Sequence, residues 1–323
     1  MRTPTLEIHL RPDQLLESLR EDVRVGLTSD PKWLAPKWFY DARGSELFEE
    51  ITRLPEYYPT RTERALLQQF SDEIIETATP SVIVELGSGS SEKTRLLLDA
   101  ATRAGTVRTY VPQDVSITAL EGAATQISAE YPGVEVHGVV SDFTDSLHHL
   151  PAGDRRMIVF LGGTLGNLVP AERAEFLAGI ADVLHPGEHL LLGVGLVTDP
   201  GVLVPAYDDA AGVTAEFNRN VLRVLNNRLG ANFPVENFRH VALWDAENEW
   251  IEMRLEAERE VTVEVADLGL TVRFGAGEQI RTEISAKFTV PGIRDELDRA
   301  GFVVDRTWTD EEDRFALICA ARR

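Results

Sequence analysis

Short, unbroken apolar runs alternate along this chain with longer stretches whose apolar residues recur every three or four positions. Ser81-Val-Ile-Val-Glu-Leu, Thr109-Tyr-Val-Pro-Gln-Asp, Val134–Val140, Arg156-Met-Ile-Val-Phe-Leu and His189-Leu-Leu-Leu-Gly-Val have strand length. The fourth of these is apolar on both faces, as a central parallel strand must be. Between them lie stretches of helical spacing: Arg61–Glu76 (apolar at Ala65, Leu66, Phe70, Ile74 and Ile75), Glu92–Ala101, Ile117–Tyr131, and Ala171–Leu184, which His185-Pro-Gly ends. This alternation predicts an α/β fold with a doubly wound parallel sheet.

The rhythm breaks after Leu196. Residues 200–286 carry a helical stretch, Val213–Leu229, and β-like segments at Trp250–Arg254 and Val261–Val265, with Trp244 and Trp250 expected to pack among them. The first pattern then returns as a helix, Pro291–Ala300, a strand, Phe302–Trp308, and its hairpin partner, Arg314–Ala320. The expected layout is one α/β domain over 61–199 and 287–323. It is interrupted by a smaller α+β domain made of 1–60 and 200–286.

Composition narrows the function. Of 323 residues, 53 are Asp or Glu and 32 are Lys or Arg, a net charge of −21. Such a surface repels nucleic acid and anionic membrane. One cysteine, Cys319, excludes an internal disulfide and a Cys-based zinc site; its apolar surroundings, Phe315–Ala321, predict a buried thiol. The seven His are scattered, no Cys-x-x-Cys or similar cluster occurs, and no metal is expected. No run has signal-peptide character or the roughly 18 apolar residues of a membrane span. A cytoplasmic, monomeric protein acting on a small molecule is the expectation.

The most informative stretch is Val84-Glu-Leu-Gly-Ser-Gly-Ser-Ser-Glu-Lys-Thr. A strand, a glycine turn and a helix let backbone approach a nucleotide closely. Dinucleotide enzymes want a third glycine where this chain has Glu92. Glu85-Leu-Gly87-Ser-Gly89 instead fits the acid-x-G-x-G of class I S-adenosylmethionine (SAM) methyltransferases, whose cofactor has no pyrophosphate. Asp114 closes the second strand, where a carboxylate accepts from both ribose hydroxyls. Asp142-Phe143 follows the third strand, suited to the adenine amino group and to stacking on the ring. With the C-terminal hairpin, this predicts a class I SAM-methyltransferase (Rossmann-like) seven-stranded sheet, with S-adenosylhomocysteine as the spent cofactor. A nicotinamide-dependent oxidoreductase is the weaker alternative.

Longer motifs carry a more specific likeness. The run from Pro36 to Glu63 (Pro36-Lys-Trp-Phe-Tyr-Asp-Ala-Arg-Gly-Ser-Glu to Pro59-Thr-Arg-Thr-Glu), Phe160-Leu-Gly-Gly-Thr-Leu-Gly-Asn, Ala206–Asn220 and Thr282-Glu-Ile-Ser-Ala-Lys-Phe resemble the L-histidine Nα-methyltransferases, which open ergothioneine biosynthesis. The resemblance spans nearly the whole chain. It implies trimethylation of the histidine α-amine to hercynine, with the amino acid held between the two domains. Tyr57, Asn167 and Tyr207 would hold its carboxylate and amine, with Gly162 and Thr164 lining the amine. Glu283 and Ser285 would bind the imidazole, and Met253 and Tyr40 would pack near it. Gly87, Gly89, Lys93, Asp114, Asp142 and Phe143 would hold SAM, Lys93 by its carboxylate. Asn167 and Tyr40 are the candidate catalytic residues, Tyr40 as an aid to deprotonation of the amine.

The residue types agree with those roles. Glu283 and Ser285 are two apart and share a face of a strand. Together they can accept from and donate to the two imidazole nitrogens. Three positions depart from the family pattern: Gln113 where an aromatic is common, Gly163 where Ser is frequent, and Gly195 where Asp is usual. Two alternatives stay open at this point. One is SAM-dependent N-methylation of another amino acid or amine on the same scaffold. The other is a SAM- or dinucleotide-binding module without catalysis.

Overall fold

The computed structural model describes residues 4–144 and 147–323. Strands in chain order are β1 (Thr5–Ile8), β2 (Val82–Leu86), β3 (Thr109–Asp114), β4 (Glu135–Val140), β5 (Arg156–Phe160), β6 (His189–Gly195), β7 (Phe238–Asp245), β8 (Trp250–Ala257), β9 (Val261–Val265), β10 (Leu270–Phe274), β11 (Gln279–Ala286), β12 (Phe302–Thr309) and β13 (Phe315–Arg322). The chain divides into two compact units. The first comprises the described residues up to Arg11, then Thr62–Leu196 and Phe288–Arg323; the second comprises Pro12–Arg61 and Val197–Lys287.

The first unit is built on one sheet of order β1-β4-β3-β2-β5-β6-β13-β12. Strands β1 to β6 pair in parallel, and β13 runs antiparallel to both β6 and β12. From β2 the chain steps outward through β3 to β4, then returns to place β5 on the other side of β2. That reversal is a topological switch point, where α/β folds open a crevice beyond the strand carboxyl ends. The glycine turn after β2 and the loop after β5 both stand there. The helices Thr94–Ala104 and Ile117–Glu130 turn leucine and alanine faces inward. With the helix from Tyr58 to Ala78 they supply Leu67, Ile74, Leu97, Leu98 and Ile127 to a core that also holds Ile83, Tyr110 and Met157.

The sheet has eight strands where the sequence suggests seven. The extra strand is β1, which pairs with His137–Val140 at the β4 edge and places the first residues in this unit rather than with the insert. Its side chains are mostly exposed, so it carries no apolar pattern for the sequence to display. The carboxy-terminal hairpin completes the sheet, with β12 at the edge and β13 between β12 and β6, and β13 is buried along most of its length. Cys319 in β13 is fully buried, and burial pushes its thiol up to about 12. The native protein is therefore expected to leave Ellman's reagent unreacted at pH 8 and to release one equivalent of chromophore only in denaturant. Rapid reaction of the folded protein would contradict this burial.

The second unit joins the helices Pro12–Thr28, Ala42–Ile51, Pro200–Tyr207 and Val213–Leu229 to an antiparallel sheet of order β11-β8-β7 and a β9-β10 hairpin. Its core gathers Phe39, Phe217, Leu225, Phe238, Met253 and Phe274. Two asparagines on Val213–Leu229 are buried and satisfied. Asn218 donates to His240 (2.8 Å) and to the Arg254 carbonyl (3.1 Å). Asn220 donates to the carboxylate of Asp41 (2.8 Å), whose other role is to cap the helix Ala42–Ile51 through the Gly44 N–H. These bonds fix where β7, β8 and the aromatic segment before Ala42 lie in the unit. Trp250 is buried in it, and Trp244 packs against the same core.

Candidate active site

The residues singled out in the sequence fall into two sets, one in each unit. In the first unit the β2 turn is braced from below. Glu85 is buried and accepts from the hydroxyls of Thr94 and Tyr110. Burial pushes its carboxyl up, against the pull of those hydroxyls and of Lys93. The motif acid thus supports the turn while the glycines face outward. Gly87 and Gly89 have φ of +65° and +50°, which an L side chain rarely adopts. Gln113, fully buried, accepts from the Gly87 N–H (3.2 Å) and donates to the Ser141 carbonyl, tying the turn to the end of β4. The departure from an aromatic at this position is therefore a change of brace at the glycine turn.

Asp114 accepts from the backbone N–H of Gly89 (2.9 Å) and of Ser116 (2.9 Å), one on each oxygen. Burial pushes its carboxyl up and these N–H bonds pull it back. The Val115 N–H adds to that pull, and a carboxylate with about four acceptor sites is thereby aimed but not exhausted. Asp142 closes a tight turn by accepting from the N–H (2.9 Å) and hydroxyl (2.6 Å) of Thr144. Phe143 packs edge-on against Phe160 (5.2 Å) and Phe176 (5.7 Å), with its ring edge beside Gly87.

Lys93 does not stand alone. Its ammonium pairs with Glu63, which is 0% exposed and also accepts from the Gly162 N–H (2.8 and 3.1 Å). Glu63 reaches this place because residue 193 is glycine: a Cβ there would lie 1.9 Å from the Glu63 carboxylate. One buried acid therefore links the lysine after the β2 turn to the loop after β5. That loop bends through Gly162 and Gly163, at φ of +84° and +70°, into the short helix Thr164–Asn167. The left-handed backbone at Gly163 explains glycine where serine is frequent. The Thr164 hydroxyl donates to the Leu161 carbonyl (3.0 Å). Asn167 does not cap the next helix, whose first turn is closed by Glu172 accepting from the Val169 N–H (3.1 Å).

In the second unit Tyr40, Tyr57, Tyr207, Met253, Glu283 and Ser285 come together. Glu283 on β11 stands directly opposite Met253 on β8, and a register shift between Arg281 and Glu283 re-aims the strand there. The displaced residue, Thr282, is anchored by donating to Asn218 (2.6 Å) and sharing the Met253 carbonyl (3.0 Å). Tyr207 and Ser285 share a hydrogen bond of 2.8 Å between their hydroxyls. Tyr57 packs edge-on to Tyr207 (6.2 Å) and to Phe48 (6.2 Å). Tyr40 leans on Phe48 and Phe217 while 44% of its surface stays exposed. Desolvation of its hydroxyl, then the Glu283 carboxylate and Tyr207, push its pKa up, so it is a neutral phenol near pH 7.

Sequence reasoning did not single out Glu63 or Lys287. Lys287 is buried and donates to the hydroxyls of Tyr207 (2.8 Å) and Ser285 (2.7 Å). Burial pushes it down to about 7, against the pull of Glu283; burial likewise pushes Glu283 up to about 7, against the pull of Lys287. The signal was the period of two that pairs Glu283 with Ser285, since Lys287 is its next member.

Comparison with known proteins agrees with this chemistry. A Mycolicibacterium smegmatis protein named histidine N-alpha-methyltransferase is 53% identical over 320 residues, covering 99% of this chain and all of the relative. A Mycobacterium tuberculosis protein of the same name is 51% identical, covering 97% of this chain and 98% of the relative. A Neurospora crassa protein named ergothioneine biosynthesis protein 1 is 36% identical over 64% of this chain and 24% of its own length. A SAM-dependent methyltransferase structure from Clostridium acetobutylicum superposes with a TM-score of 0.50 at 11% identity, over 86% of this chain and 98% of that one, a likeness of fold. Residues 19–322 match the family model described as histidine-specific, SAM-dependent methyltransferases. With nearly the whole chain covered, the protein belongs to that family of histidine-specific, SAM-dependent methyltransferases.

Proposed function

We propose that this protein trimethylates the α-amine of L-histidine to hercynine, the first step of ergothioneine biosynthesis, as a monomer in the cytoplasm. The observation that supports this reading best is the polar wall of the second unit. A carboxylate, Glu283, stands on the same strand face as a hydroxyl, Ser285, which Tyr207 and Lys287 hold in place. A ring with one N–H and one bare nitrogen satisfies both. An apolar ring leaves both unmet, at a cost of orders of magnitude in selectivity.

Roles follow from the chemistry of each group. Asp114 would accept from the ribose hydroxyls, Asp142 from the adenine amine, and Phe143 would cover the ring. The turn at Gly87 and Gly89 gives close backbone approach, and Lys93 keeps N–H donors beyond the one that Glu63 takes. SAM supplies a methyl group on a sulfonium, an activated leaving group, so the reaction calls for no metal. Tyr57 and Asn167 would hold the α-carboxylate, and Tyr207, its proton shared with Ser285, would accept from the amine, with Gly162 and Thr164 beside it, so that the amine lone pair meets the methyl carbon in line. The amine gives up a proton before each of three transfers. Tyr40, a neutral phenol, orients that amine and passes its proton toward solvent rather than storing it.

One pocket serves all three transfers because its clamps grip carboxylate and ring, not the growing ammonium. Purified protein incubated with SAM and L-histidine is expected to give hercynine by mass spectrometry, with three equivalents of S-adenosylhomocysteine. Arrest at the monomethyl product would sink the single-pocket reading, and methylation of other amino acids in preference to histidine would favour the broader N-methyltransferase alternative.

A further inference from the structure

Three polar atoms in the second unit form a closed triangle. Lys287 Nζ lies 2.8 Å from Tyr207 Oη and 2.7 Å from Ser285 Oγ, and those oxygens are 2.8 Å apart. The lysine is 6% exposed, and its ammonium also sits 4.8 Å from the centre of the Tyr207 ring. A simple count of protons follows. As an ammonium, the form that the Glu283 carboxylate favours, Lys287 only donates, so each hydroxyl must accept from it. The two hydroxyls have two protons, and one lies in the Tyr207–Ser285 bond. One proton is left to point outward. The triangle therefore offers a ligand one hydrogen-bond donor at a fixed place, whichever hydroxyl supplies it. Without the lysine, both hydroxyls could turn and present lone pairs instead. Glu283, on the same strand face two residues before Ser285, offers an acceptor.

We propose that Lys287 is a positioning residue that sets substrate specificity: by locking the hydroxyls of Tyr207 and Ser285 into donor geometry, it makes the pocket select a neutral imidazole, with its bare nitrogen toward the triangle and its N–H toward Glu283. This rests on the placement of histidine against Glu283 and Ser285. An imidazolium, with two N–H groups, faces a donor it cannot bond and a second positive charge. An indole offers an N–H but no acceptor. A thienyl ring offers neither. The discrimination thus resides in the pair of opposed polarities, and Lys287 creates one of them without contacting substrate.

The test compares Lys287→Met, Lys287→Arg, Ser285→Ala and Glu283→Ala in steady-state assays with L-histidine and with 3-(2-thienyl)-L-alanine, a five-membered ring without nitrogen. Lys287→Met is expected to raise KM for histidine at least about tenfold, and to shrink the histidine preference in kcat/KM by a similar factor. The change in kcat should stay within about threefold. Lys287→Arg, which keeps donors, is expected to restore much of both. Loss of folded protein lowers kcat for both substrates alike and moves neither KM nor the ratio, so these readouts separate positioning from stability. If Lys287→Met is too unstable to assay, Lys287→Gln, whose amide carbonyl accepts from a hydroxyl and so releases the donor lock, is expected to shrink the ratio in the same direction. An unchanged ratio alongside a strong Ser285→Ala effect would overturn the role of Lys287. If Ser285→Ala and Glu283→Ala also leave the histidine KM unchanged, the placement of the substrate itself is wrong, and the proposal falls with it.

Discussion

Replacement of Glu188 by Ala is expected to destabilise the protein by about 3–5 kcal/mol, measured as a fall in the denaturation midpoint. The side chains of Glu188 and Arg156 are each 5% exposed. The carboxylate accepts from Arg156 Nε (3.0 and 3.1 Å), Arg156 Nη2 (2.8 Å) and the backbone N–H groups of Arg156 (2.9 Å) and His185 (2.8 Å). Truncation leaves a buried guanidinium without its counter-charge, together with two N–H groups that fixed the start of β5 to the turn before β6. Burial alone would push the Glu188 carboxyl up, but Arg156 and those N–H groups outweigh it and hold the carboxyl below the usual carboxylate range. A depressed acid contributes stability above its unfolded pKa and loses it as pH falls through the folded one. The wild type should therefore lose more stability than Glu188→Ala between neutral pH and the acid range below about 4. A midpoint shift under about 1 kcal/mol would show that the pair adds little beyond what water restores.

Neither partner of that pair stands out in the sequence, and the reason separates what was legible from what was not. Apolar periodicity is local. It found Thr109–Asp114, Val213–Leu229 and Val261–Val265 with the ends the structure gives them, because each buries one face or both along its whole length. It passed over β1, whose side chains are mostly exposed, and the helix Pro12–Thr28, whose buried face is only Leu19, Val23, Gly26 and Leu27. Paired burial of polar groups is nonlocal. Glu63 reads as one more solvated acid on a helix until Gly193, far along the chain, opens the space it fills. Tyr110 reads as a core aromatic, yet its hydroxyl braces the motif acid Glu85. The places of the glycine turn, Asp114 and Asp142 were legible because each lies at or just beyond the end of a strand. Glu283 and Ser285 were legible as a pair through the family likeness and the strand period, whereas Lys287 needed the triangle of bonds in three dimensions.

Glu283→Ala is expected to lower kcat/KM for histidine by about 10²- to 10⁴-fold while changing that for 3-(2-thienyl)-L-alanine far less. The variant would remove the acceptor for the imidazole N–H without removing any bond of the triangle of Lys287, Ser285 and Tyr207, although Lys287 also loses the charge that favours its ammonium. Glu283→Gln keeps one carbonyl acceptor on the same strand face and should lose less. Wild type and Glu283→Gln also separate on pH. Burial raises the Glu283 carboxyl to about 7, against the pull of Lys287. As pH falls through that value the wild-type carboxylate takes a proton and ceases to be an acceptor on both oxygens, so histidine affinity must weaken on the acid side. In Glu283→Gln that limb is lost, and what remains is titration of the substrate imidazole, near 6.5, and of Lys287, which burial lowers further once its counter-charge is gone. Calorimetric Kd values for histidine from about pH 5.5 to about 8.5 would show the difference between wild type and variant as a loss of slope. Equal losses for histidine and the thienyl substrate in Glu283→Ala would mean that the carboxylate supports the unit rather than reads the ring. Selective loss with the acid limb unchanged in Glu283→Gln would instead leave the carboxylate as the reader and assign the proton to the substrate or to Lys287.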